Sequence, residues 1–380
     1  MAGFVVAVTV AVPAPVWAAQ CVGASPVVAA VPAELKAYAP GRLAGLATGA
    51  GVRVAVVDSG VDARHPQLRG RVVAGRDLLR DEFAGRRDCV GHGTGVAGII
   101  AAGADAGTGV QGLAPGVTIV PVRVSEHQDL DEAAVAAGGS ARTFAQGIRW
   151  AAGPGRAQVI NISLVMPRES AAVRSAIADA VAAGVIVVAA AGNDGPAAGL
   201  AYPAAYPGVI GVGAVGADGV RASYSQVGEH VDVVAFGDKV TVASPVAGHT
   251  VAQGTSFATP FVTATVALLR ERFPRESAAE ITRRLLRSVD PAPGGARSDE
   301  YGFGLLNPYR ALTEEAGPVV AAVPSVVAVA PAAGGSPEWV RAGWFAAGGF
   351  GLAVLAGLVA VVVGRGRRRG WRAGHDRMRG

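Results

Sequence analysis

Five continuous apolar runs constrain this chain more than any other feature: residues 52–57, 118–124, 159–164, 185–190 and 209–215. Each is rich in Val and Ile, is short for a helix, and lacks the polar alternation of a strand with one wet face. Segments with helical character lie between them, at 96–102, 143–152 and 171–183. Apolar strands alternating with helices predict a parallel sheet covered on both faces. Chemistry in such sheets collects beyond the carboxyl ends of the strands, so the residues that follow each run are the first candidates. At 380 residues and 51% hydrophobic content, the chain can build one large core with appendages.

The first of those positions and two further motifs carry matched chemistry. The first run ends on Asp58-Ser59-Gly60. Gly91-His92-Gly93-Thr94-Gly95 sets a histidine just before a small-residue helical stretch. Gly254-Thr255-Ser256-Phe257-Ala258-Thr259-Pro260 reads as a tight turn feeding a helix, with Ser256 in its first turn. Unpaired amides and the helix dipole favour developing negative charge there. A serine hydroxyl is a poor nucleophile until an imidazole takes its proton, and the imidazole needs a carboxylate to orient it. Asp58, His92 and Ser256 supply those roles, at separations of 34 and 164 residues. The run 185–190 continues into Ala191-Gly192-Asn193, and a side-chain amide can donate to an oxyanion without changing charge.

Three blocks, Asp58-Ser59-Gly60-Val61-Asp62, Gly91-His92-Gly93-Thr94 and Gly254 to Pro260, resemble the signature blocks of subtilisin-like serine proteases, in that family's chain order. The resemblance covers about residues 50–312. It implies a three-layer α/β fold with a mostly parallel central sheet and a peptide-cleaving Asp58-His92-Ser256 triad. It also implies an oxyanion hole made by Asn193 and the Ser256 amide. Ser163, Leu164 and Val165 would form one wall of the substrate pocket, facing Ala190, Ala191 and Gly192. Val165 stands where the family usually has glycine, and a β-branched side chain there is expected to narrow the pocket or alter the strand geometry, with a small side chain next to the cut as the expected preference. Tyr202-Pro203 is a candidate cis bond. Glu300 to Asn307 resembles the segment that closes the domain. Residues 22–50 are shorter than the folding pro-segment of many relatives.

The ends of the chain point to a membrane. Residues 1–18 read as a secretory signal ending before Ala19, although without a basic n-region; a buried N-terminal element is the other reading. Residues 342–364 hold no charged side chain, a length that spans a bilayer, with Trp339 and Trp344 suited to its interface. Seven arginines against Asp376 give residues 365–380 a charge of +6, so of the net +5 the other 364 residues contribute about −1. The basic balance therefore belongs to the tail and does not indicate a nucleic-acid partner. By the positive-inside rule the tail is cytoplasmic and the peptidase domain extracellular, in a single-pass membrane protein. The expected division is signal 1–18, extension 19–50, peptidase domain 51–312, Pro/Ala-rich linker 313–338, membrane helix 339–364 and basic tail 365–380.

Two cysteines are present, Cys21 and Cys89. After export an even pair usually bridges, which predicts a disulfide from the extension to the segment before His92; two free buried thiols is the alternative. Glu126, Asp129, Asp131 and Glu132 lack the pattern of a calcium loop and read as a solvated cluster. His65, His127, His230, His249 and His375 lack metal-ligand spacing, so no metal and no cofactor is expected. The Asp88-Cys89 pair before Gly91-His92, the Ala97-Gly98-Ile99-Ile100-Ala101-Ala102 run and the anchored layout resemble the mycosins, membrane-anchored proteases of actinobacterial type VII secretion systems. Mycosins often have a second disulfide, for which this chain has no cysteines. That likeness implies a polypeptide substrate and membrane components of such a system as partners, and a second possible role as a stabilising part of the secretion complex.

Overall fold

The computed structural model describes residues 21–126, 140–314, 361–366, 368 and 370. The proposed signal, almost all of the linker and most of the membrane segment and tail lie outside them, as do Asp129, Asp131, Glu132, His127 and His375. The chain divides into two units, Met1–Ala316 and Gly317–Gly380. In the second, residues 361–366 are helical, and Val361, Val362 and Val363 are exposed. Among the described residues no helix is long and apolar enough to cross a membrane.

Among the described residues of the first unit, two short helices come first, α1 (Ala33–Tyr38) and α2 (Pro40–Ala44). Strand β1 (Arg53–Asp58) follows, then the two-residue β2 (Arg76–Asp77), helix α3 (His92–Ala101) and β3 (Thr118–Arg123). Next come α4 (Ala141–Ala152), β4 (Val159–Ile162), α5 (Ala171–Ala182), β5 (Ile186–Ala190) and β6 (Val209–Val215). Strand β7 (Val233–Phe236) precedes a hairpin of β8 (Val240–Ala243) and β9 (His249–Ala252). The long helix α6 (Thr255–Arg272), then α7 (Ala278–Arg287), β10 (Asp290–Pro291), β11 (Gly304–Leu305) and α8 (Pro308–Thr313) complete it.

All five apolar runs became strands of one sheet, ordered β10-β11-β7-β6-β5-β4-β1-β3-β2. Every pair is parallel except β10 with β11. The runs lack alternation because both faces are covered. One core lies under α3 and α6 and holds Val54, Val56, Ile100, Val188, Phe261 and Leu268. The other lies under α4 and α5 and takes the alternate residues Ala55, Val57, Ile160, Ile162, Val187 and Phe144. Helix α3 starts at His92, four residues before the predicted helical stretch. Gly93 and Gly95 disfavour a helix intrinsically, yet packing requires them: a Cβ on Gly95 would crowd Val242 and Phe257. Here tertiary contact outweighs propensity.

Segment 21–31 lies across the domain without regular structure. Val22 N–H donates to the Cys89 carbonyl, Ser25 N–H to Ala247, and His249 N–H to Pro26. Cys21 and Cys89 form the predicted disulfide. The Tyr202-Pro203 bond is cis.

Candidate active site

β1 delivers Asp58 from an interior position of the sheet, between β3 and β4, where it is fully buried. Its two oxygens lie 2.8 and 3.0 Å from His92 Nδ1, and Oδ1 also accepts the Ser59 N–H at 2.7 Å. His92 is the first residue of α3, entered through Gly91 at φ 86°, a left-handed turn that suits glycine. The imidazole packs against Phe257 at 5.1 Å between ring centroids. That contact sets the first turn of α6, and with it Ser256, beside the histidine.

The loop before His92 is braced by Asp88, a residue that the sequence marks only as part of a family likeness and gives no role. Asp88 Oδ1 accepts from Ser59 Oγ (3.0 Å), Val90 N–H (3.0 Å) and Gly91 N–H (2.8 Å). Its Oδ2 accepts from the N–H and hydroxyl of Thr94, at 2.8 and 2.7 Å. Burial pushes this carboxyl upward, the bonds from Thr94 and Gly91 oppose that shift, and the charge of Asp58 adds to it. Ser59 Oγ in turn accepts the Gly93 N–H at 3.0 Å. Both ends of the first helical turn are thereby tied to the end of β1. The aspartate at this position within the histidine block was the only visible signal.

Helix α6 begins as predicted, with Gly254 as its N-cap at φ 140° and Ser256 as its second residue. Pro260 lies inside this helix and has no N–H to give the carbonyl four residues back, that of Ser256. Ser163 Oγ takes that acceptor instead, at 2.7 Å. In return Ser256 Oγ donates to the Ser163 carbonyl at 2.8 Å. Asn161 Nδ2 supports Ser163 Oγ at 3.0 Å, and Asn161 Oδ1 accepts from Thr263 Oγ1 at 2.8 Å. A buried polar chain therefore locks the end of β4 to the nucleophile helix.

Asn193 follows β5 through Gly192, which sits at φ 101°. Its Oδ1 accepts from Thr255 N–H (2.8 Å) and Thr255 Oγ1 (3.0 Å). An oxygen so occupied leaves the amide Nδ2 as the free donor end, beside the first turn of α6.

A pocket of about 360 Å³ opens next to Asn193, lined by Val165, Asp194, Leu200, Ala201 and Gln226 among others. Of the predicted wall residues, Val165 faces it directly. Ser163 is engaged with Ser256, while Leu164, Ala190 and Ala191 are fully buried behind the wall and Gly192 lies against Gln226. Val165 packs with Ala190 and Ala201 as part of the wall. Leu200 and Ala201 border the Tyr202-Pro203 motif; Gln226 had no sequence signal.

Other predicted features are structural. Asp62 pairs with Arg64 at 2.7 Å and accepts the Val246 N–H at 3.0 Å. His65 and His249 form a buried pair with rings 6.1 Å apart, and His230 Nε2 meets the Ala191 carbonyl at 3.1 Å. Glu126 pairs with Arg80 at 2.7 Å and Arg123 at 2.5 Å. Among the described residues no group of three or more His, Cys, Asp or Glu could hold a metal ion.

The subtilase family profile matches residues 49–304. Subtilisin DY of Bacillus licheniformis is 38% identical over 262 residues, 68% of this chain and 90% of that protein. M-protease of Shouchella clausii (strain KSM-K16) is 38% identical over 260 residues, 68% of this chain and 64% of that longer protein. The solved structure of the MycP3 protease from the type VII (ESX-3) secretion system aligns with a TM-score of 0.68 and 28% identity. That alignment covers 78% of this chain and 93% of the other.

Proposed function

Because the chain belongs to the subtilase family of serine endopeptidases, we propose that it cleaves polypeptides at the outer face of a cell membrane. The Asp58–His92 contact at 2.8 Å, with Ser256 opening the adjacent helix, is the observation that carries this reading. Ser256 Oγ turns from the Ser163 carbonyl and attacks the peptide carbonyl carbon while His92 Nε2 takes its proton. Asp58 holds Nδ1–H and stabilises the imidazolium. Asn193 Nδ2 and the Ser256 N–H receive the oxyanion. The proton then passes from His92 to the leaving amine, and water, activated by the same imidazole, hydrolyses the acyl-enzyme.

The uncharged stretch 342–364 and the arginines after it support a single-pass anchor with a cytoplasmic tail. The likeness to the MycP3 protease supports association with a type VII secretion system. It also supports a second reading, in which the protein chiefly steadies that membrane complex and cuts few substrates. The purified peptidase should react with a fluorophosphonate probe, and Ser256→Ala should abolish labelling; folded wild-type protein that stays unlabelled would refute the endopeptidase reading. Secretion restored to a deletion strain by Ser256→Ala would favour the stabilising role.

A further inference from the structure

One residue lining the pocket beside Asn193 carries a polar atom that the fold itself leaves unused. Gln226 lies between β6 and β7 and is 3% exposed. Its main-chain N–H donates to the Gly192 carbonyl at 3.1 Å, and its side-chain Nε2 to the Gly199 carbonyl at 2.8 Å. A carbonyl can be met only by a donor, so the orientation of the amide is fixed and Oε1 is the other end. That oxygen is buried without a hydrogen-bond partner among the described residues. It rests against Gly192, where any Cβ would collide with it. Buried acceptors without a donor are rare in folded proteins, and one in the lining of a binding pocket points to a donor brought by the ligand.

The remaining lining narrows the chemistry of that donor. Asp194 adds a second acceptor at the exposed mouth, and it has no ion-pair partner among the described residues. Val165, Leu200 and Ala201 supply apolar wall, and no Lys, Arg or His is among the described lining residues. The donor of Asn193 belongs to the oxyanion in the mechanism above. The pocket thus offers acceptors and apolar surface without a spare donor. Lysine and arginine carry donors only, on an apolar stem. A glutamine side chain would bring an acceptor with nothing to receive it, and an aliphatic one would leave Oε1 unmatched.

We propose that this pocket selects substrates with lysine or arginine on the acyl side of the cut bond, with Gln226 Oε1 and Asp194 receiving the charged head. This rests on the endopeptidase reading. The test uses purified protein, first titrated with a fluorophosphonate probe, whose reaction does not depend on the pocket. Fluorogenic peptides identical except for Lys, Arg, Met, Gln or Phe before the cut are then compared.

Lys or Arg should exceed the similarly sized Met by roughly 10- to 100-fold in kcat/KM, as expected for a hydrogen bond to a charged group. Gln226→Met should bring the Lys-to-Met ratio close to one. Asp194→Asn, at an exposed position where folding is not at stake, should lower that ratio several-fold on its own. A labelled enzyme that prefers Met or Phe overturns the proposal, as do ratios unchanged in both variants. No labelling together with no cleavage of any peptide defeats the endopeptidase reading, and this inference falls with it.

Discussion

Replacing Asp88 with asparagine changes almost no atoms, yet the structure gives it a large expected effect. Oδ1 can remain an acceptor for Ser59, Val90 and Gly91, which places the new NH₂ group against Thr94. The Thr94 hydroxyl can rotate to accept; its N–H cannot, and is left buried and facing another donor. Such a group costs about 1–3 kcal/mol, and the three remaining bonds lose their charge assistance. Relief of the buried charge beside Asp58 offsets part of this, so a net loss of about 2–3 kcal/mol is expected. For a domain of this size that is a Tm lower by about 4–12 °C. Gly91 is also the N-cap from which His92 projects, so the rate of fluorophosphonate labelling should fall about tenfold or more. Thermal melts and labelling kinetics of Asp88→Asn beside wild type measure both. A Tm within 2 °C of wild type and an unchanged labelling rate would show that the brace does not hold the histidine.

Asn193→Ala should lower kcat by about 10²–10³, the loss measured for this donor in subtilisin, with little change in KM. Cys21→Ser opens a crosslink spanning 68 residues, which chain entropy values at about 4 kcal/mol; melts under oxidising conditions should show the loss, and wild type with reductant should match the variant. Burial holds His65, His230 and His249 below the usual histidine range, with the His65 ring adding to the depression at His249. The unfolded chain then binds more protons below about pH 6.5, so stability is full above that pH and declines as pH falls toward the folded values. His249 Nδ1 accepts the Val28 N–H at 3.1 Å only while unprotonated. Limited proteolysis at about pH 5 should therefore clip segment 21–31 before the rest of the domain, and equal protection at pH 5 and 8 would contradict this.

The parts of this fold that sequence conveys well are those in which neighbours along the chain share one physical demand. Apolar runs without alternation could only be strands covered on both sides, and the residues that end them had to meet at one edge of the sheet. Asp58 and Asn193 were legible for that reason, and His92 and Ser256 because each stands in the first turn of a helix within a glycine-flanked motif. Asp88 and Gln226 were not, because their importance comes from contacts with partners distant in sequence or from a missing partner, neither of which leaves a local pattern. Val165 was legible as a residue of the pocket wall, but its packing against Ala190 and Ala201 was not, since those partners lie elsewhere in the chain. Short elements such as β2, β10 and β11 hold two residues each, too few for any period to register.

The position of β1 between β3 and β4, with the nucleophile nearly two hundred residues further along, fixes when this molecule can become dangerous. A growing chain that has reached α5 contains the carboxylate and the imidazole but has no serine to activate and no Asn193. The seat of Asp58 closes only once later segments flank it. Polypeptide length itself thus acts as a timer: the serine cannot meet the imidazole until the last third of the domain has emerged and docked. Slow, long-range pairing, usually counted as a handicap for a folding chain, here serves as a safety interval.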